Sequence, residues 1–144
     1  MINNADQSLL EQTYKNATMG VLAIESVLDK AKNQDFSNDL HRQMQGYQEL
    51  ASKSKEELDK LGVEAKEKSI YDKTMLKGSI KMNTMMDASD SHIADMVIKG
   101  STMGITEMSK LLHEHPHADG TCTKIAREFV TEEEKNIDIM KSYL

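Results

Sequence analysis

The sequence predicts an all-α protein, an antiparallel four-helix bundle made of two related αα-hairpins joined by a partly helical crossover. Three observations carry this reading. Proline occurs only at Pro116, tryptophan is absent, and Ala, Leu, Met, Glu, Lys and Gln dominate, a composition that favours helix by intrinsic propensity. Apolar residues recur in alternating steps of four and three over long stretches, the spacing of a buried helix stripe. The string Thr-Met-Gly occurs twice, at Thr18–Gly20 and Thr102–Gly104, each time inside such a stretch.

The first stripe runs Leu10, Tyr14, Ala17, Val21, Ile24, Leu28, Ala31 and predicts one long amphipathic helix. The segment "NQDFSND" then supplies turn and capping residues, after which Leu40, Met44, Tyr47, Ala51, Ser54, Leu58 and Leu61 predict a second helix ended by Gly62. So short a connection makes the pair an antiparallel hairpin, spanning about 4–61. The crossover, about 62–87, begins charged and loop-like and takes on helical composition from Ser69. Asp87, Ser89 and Asp90 are placed to cap the next helix. The second hairpin, about 88–144, starts with a stripe of Ile93, Val97, Gly100, Gly104, Glu107 and Leu111, which stops before "HEHPHADG". Ala126, Val130, Glu133, Ile137, Met140 and Leu144 then mark the last helix.

The repeat extends beyond one tripeptide. Laying Ala17–Val21 on Ser101–Ile105 also brings Leu40–Met44 near Ile125–Phe129, with a one-residue shift in the hairpin turn, so both helices of one hairpin match both of the other. Gly20 and Gly104 sit inside helices, where each costs about 1 kcal/mol against alanine. Close approach of the first and third long helices supplies a reason; a hollow in the bundle is the functional alternative.

A chain of 144 residues suits one cooperative domain, 1–144. Its formal charge of −6, with no basic block, excludes a nucleic-acid partner. The start "MINNADQSLLEQ" has neither the basic nor the apolar region of a signal peptide, and no run approaches the length of a membrane span, so the expectation is a cytoplasmic protein with no membrane partner. Cys122 is the only cysteine, which rules out an internal disulfide and a cysteine-based zinc cluster.

Two long-helix hairpins joined by an extended connector resemble the ferritin-like superfamily, whose crossover carries the chain back along the bundle. That resemblance implies a Glu on each of two helices and a Glu-x-x-His on each of the other two around a di-metal centre. Here the pattern fails. Glu49 is followed three residues on by Ser52, Glu133 by Asn136 and Glu134 by Ile137, while the one literal match, Glu114 to His117, straddles Pro116.

Carboxylates nevertheless fall on or beside the stripes at Glu25, Glu107 and Glu133, and a buried acid needs a partner or a raised pKa. With His92 these residues form the candidate metal set for a divalent ion; hydrogen bonding to Tyr, Asn or water is the plainer use of the same acids. His113, His115 and His117 alternate in "HEHPHADG", a pattern that holds a surface metal or forms a solvated turn. Of 11 methionines, Met82, Met85, Met86, Met96, Met103 and Met108 crowd the third-helix region, and "MLKGSIKMNTMM" carries more apolar positions than one buried face uses. A self-association face follows, and with it a homo-oligomer, a dimer by preference, or another protein partner.

No nucleophile elbow, phosphate loop or zinc-protease motif is present, so no catalytic residue and no cofactor is assigned. The functional expectation is a non-catalytic bundle with a structural or protein-interaction role. The alternative is a carboxylate-rich metal-binding oxidase or ferritin-type store with an atypical site.

Overall fold

The computed structural model describes residues 4–144, and among them every regular element is helical. α1 spans Asn4–Glu25 and passes through a 3₁₀ turn, Leu28–Lys30, into α2, Gln34–Lys60. α3 covers Ile70–Met86, α4 Asp90–Glu114 and α5 Gly120–Lys141. The all-α class therefore agrees with the sequence reading.

α2, α3, α4 and α5 each start where a side chain can accept the backbone N–H groups the first turn leaves free. Asn33 accepts from Asp35 and Phe36 at the head of α2, Ser69 from Asp72 at α3, Ser89 from His92 at α4 and Asp119 from Thr121 at α5. α2 stops at Gly62, whose φ of 73° is the left-handed conformation that ends a helix cheaply in glycine.

α1 packs along α2 and α4 along α5, and the two hairpins meet through α5 on α1 and α2 and through α4 on α1. Phe36, Leu40, Leu9, Ile93, Met108, Phe129 and Met140 are fully or almost fully buried where these faces meet. Two polar ties fix the ends of the bundle. Asp90 accepts the backbone N–H groups of Lys32 and Asn33, both at 2.9 Å, which joins the first hairpin turn to the start of α4. Asp6 accepts from the Asp119 N–H at 2.6 Å, joining α1 to the second hairpin turn.

α3 is the loosest helix. It rests on α1 through buried Ile80 and Thr84 and half-buried Leu76, and leaves its other side in solvent. The α4 stripe also differs from the sequence reading: Gly100 and Glu107 are exposed, and Ala94, Ser101, Gly104 and Met108 face inward. The inward set is rotated by about one residue, because small side chains on α4 let the ring of Phe129 in.

Candidate functional site: a hollow beneath the crossover helix

The two Thr-Met-Gly glycines have a shared structural role, different from helix-to-helix contact. Gly20 on α1 faces the ring of Tyr47 on α2, so close that a Cβ there would stand 2.7 Å from two ring carbons. Gly104 on α4 faces the ring of Phe129 on α5, with a Cβ position 3.2 Å from the ring and 3.3 Å from Glu133 Oε2. Each hairpin thus seats one aromatic ring on its own glycine. The two rings approach across the bundle with centroids 6.4 Å apart, within the range of a favourable tilted pair.

Folding the rings down onto the glycines leaves space above them. A hollow of about 490 Å³ lies there, walled by α1 and α4, roofed by α3 and floored by Tyr47, Gln43, Phe129 and Glu133. Met19, Ile24, Met96 and Val97 make the walls mostly apolar. Its size falls within the range that accommodates small organic ligands.

The floor is polar. Glu133 is 3% exposed, and its Oε1 accepts from the Tyr47 hydroxyl at 2.5 Å and from Asn136 Nδ2 at 3.0 Å. The Tyr47 oxygen in turn accepts from Gln43 Nε2 at 3.1 Å. Burial raises the Glu133 pKa, the hydrogen bonds from Tyr47 and Asn136 pull it back down, and Ser101 adds a smaller pull in the same direction. Burial, then the neighbouring Glu133, pushes the Tyr47 phenol up, which keeps it a neutral donor.

The hydrogen bonds from Tyr47 and Asn136 both land on Oε1, and Oε2 lies beside Gly104. Four buried side-chain atoms among the described residues have no hydrogen-bond partner: Asn16 Nδ2, Gln43 Oε1, His92 Nε2 and Ser101 Oγ. All four residues line this hollow.

Of the candidate metal set, His92, Glu107 and Glu133 line the hollow and Glu25 does not. Glu25 and Glu107 are exposed, and Glu107 accepts from Gln12 Nε2 at 3.2 Å. Among the described residues no group of three or more His, Cys, Asp or Glu side chains is placed to hold a metal ion, the histidines of the α4–α5 turn included. Cys122 is buried in the first turn of α5, where burial and nearby Asp6 and Asp119 push its thiol up to about 11, so it is a poor nucleophile.

Sequence reasoning found Glu133 because an acid interrupts an apolar stripe. It offered Tyr and Asn as partners of such an acid, which Tyr47 and Asn136 are, without singling out those two residues, and it passed over Ser101 and Gln43, whose only signal was a polar residue one step from a predicted inward position. No helix among the described residues is long and apolar enough to cross a membrane. Comparison of the chain with family models, with curated proteins and with solved structures gave no match.

Proposed function

We propose that the chain is a non-catalytic, ferritin-like bundle that binds a small, largely apolar molecule in the hollow beneath α3. The observation that carries this is the concentration of unpartnered buried polar atoms, on Asn16, Gln43, His92 and Ser101, around one ligand-sized space. An unmet buried polar group costs about 1–3 kcal/mol, so a set of them on a single cavity is explained by an occupant that meets them. The ferritin-like part rests on the two paired hairpins and on a helical crossover that brings the second beside the first. In this reading the Tyr47–Glu133–Asn136 cluster occupies the interior where that superfamily keeps its metal. The metal-store alternative needs converging ligands, and exposed Glu25 lies outside the lining of the hollow.

The test is a titration with phenylbutanol, followed by NMR of methionine methyl groups. Saturable shifts at Met19 and Met96, which line the hollow, with little change at Met82, Met85 and Met86 on the outer side of α3, are the expected result. Absent shifts, or shifts spread evenly over all methionines, would dispose of the binding site.

A second reading concerns the outer face of α3, where we propose that two copies of the chain meet. Tyr71, Met75, Gly78, Met82 and Met85 step by four and three along that face, and the four side chains are 71%, 57%, 72% and 76% exposed. This is the spacing of a helix-pairing seam. Gly78 has open space around it, and Tyr71 and Met85 lie equally far along the chain on either side. A two-fold axis at Gly78 would bring two antiparallel helices close at the one position that has no side chain. Sedimentation velocity should show a dimer at high micromolar concentration, and a monomer with unchanged helicity in the Met75→Lys, Met82→Lys double variant. A monomeric wild type would end this reading.

A further inference from the structure

Resting on the binding site proposed above, the chemistry of the floor narrows the occupant. Asn16 Nδ2, elsewhere in the lining, is a donor, whereas the polar atoms left over on the floor are acceptors: Glu133 Oε2, the second oxygen of a carboxylate whose first already accepts two hydrogen bonds, and Gln43 Oε1, without a partner. Ser101 Oγ, 2% exposed, makes no well-formed hydrogen bond yet stands near enough to Glu133 to favour its charged form, and it can donate to that carboxylate while accepting from an occupant. The orientation of the Gln43 amide follows from the network. The Tyr47 hydroxyl donates its one hydrogen to Glu133, so its oxygen can only accept a hydrogen bond from Gln43, which places Nε2 at that contact and turns Oε1 away from it.

A neutral alcohol brings one donor to these acceptors, and a carboxylate brings none while adding a second negative charge beside Glu133. A primary ammonium brings three donors and the opposite charge. The rest of the lining fits an apolar body behind such a head. Met19, Ile24, Met96 and Val97 continue up the walls, and His92, nine residues before Ser101 on α4, is displaced from it by about 13.5 Å along the helix axis. Aromatic faces such as those of Tyr47 and Phe129 are favourable neighbours for a cation. Two lysines line the hollow, Lys99, paired with Asp95 at 2.8 Å, and Lys68, while the chain's charge of −6 attracts a cation from solution.

We propose that the hollow is a binding site for a small primary amine with an apolar body, its ammonium group held by Glu133, Gln43 and Ser101. No bond is made or broken; the site is a receptor. Glu133 acts as the counter-ion, Gln43 and Ser101 orient the head, and Tyr47 and Asn136 hold the carboxylate in place through its other oxygen.

Three probes of one carbon skeleton, phenylbutylamine, phenylbutanol and phenylbutyrate, separate this proposal from the reading beneath it. By calorimetry at neutral pH the amine is expected to bind at least tenfold more tightly than the alcohol, and the butyrate to give no measurable heat. Glu133→Gln should remove the advantage of the amine over the alcohol, and Ser101→Ala should weaken the amine several-fold in an otherwise intact fold. Equal affinity of amine and alcohol for the wild type, or an amine affinity that survives Glu133→Gln, would overturn the ammonium assignment and leave the cavity as a site for neutral molecules. Should none of the three bind the wild type, with methionine methyl signals also unmoved, the hollow holds only water and both readings fall.

Discussion

Tyr47→Phe is expected to destabilise the fold by about 2–4 kcal/mol at neutral pH, a large effect for the loss of one oxygen atom. That oxygen serves two buried partners. It donates to Glu133 Oε1 at 2.5 Å and accepts from Gln43 Nε2 at 3.1 Å, and Tyr47, Glu133 and Gln43 are each no more than 5% exposed. Phenylalanine leaves the ring on Gly20 and takes away both bonds. The carboxylate keeps Asn136, whereas the Gln43 amide is left with a buried donor to satisfy.

The loss should depend on pH in a defined direction. Burial raises the Glu133 pKa in the folded protein, so Glu133 favours the fold most at acid pH, below its unfolded pKa, and that contribution fades as pH rises through the folded value. The Tyr47 bond opposes the raising, because it stabilises the charged form. Without it the folded pKa moves higher still. Wild type and Tyr47→Phe should therefore differ least under acid conditions, and the gap should widen as pH passes the wild-type Glu133 value. Urea unfolding across the acid-to-neutral range measures this, and a gap that is constant with pH or widens on acidification would show that the hydroxyl does not act through a titrating Glu133.

Gly20→Leu is expected to cost about 1–3 kcal/mol by overpacking, even though leucine is the better helix former by nearly 1 kcal/mol. The reason is the Tyr47 ring. A Cβ at Gly20 would lie 2.7 Å from it, and the ring cannot swing aside without breaking its bonds to Glu133 and Gln43 or closing on Phe129. Gly104 is more forgiving, with its nearest neighbours at 3.2 Å. Gly100 lies inside α4 with nothing within 4 Å of a built Cβ, so Gly100→Ala should stabilise by about 0.5–1 kcal/mol through helix propensity alone. Chemical denaturation midpoints that move the same way for Gly20→Leu and Gly100→Ala would refute the ring-seat account of Gly20.

The helices themselves were legible in the sequence because their signals are local. Ser89 caps α4 and Gly62 ends α2, because the physics of a helix end involves only its neighbouring residues. The stripe through Leu40, Tyr47, Ser54 and Leu58 marks the buried side of α2 for a similar reason: burial on one face repeats with the helix turn. The α4 stripe was legible only in period. Its phase was read through Gly100 and Glu107, which face solvent, because small residues set no preference of their own and the side that is buried depends on what α5 presents to them.

By itself, then, the sequence determined an all-helical chain, the order of its two hairpins, the caps and an acid out of place at Glu133. Only the tertiary structure decided that the repeated glycines seat rings rather than touching helices, and that Tyr47, Gln43, Ser101 and Asn136 gather around that acid. These residues stand on three helices, and Gln43 and Tyr47 are far from Glu133 in the chain. Periodicity gives the buried face of each helix but not the rotation and depth at which faces interlock, and it is that interlocking of α1, α2, α4 and α5 under α3 that leaves a polar-floored hollow in an apolar bundle.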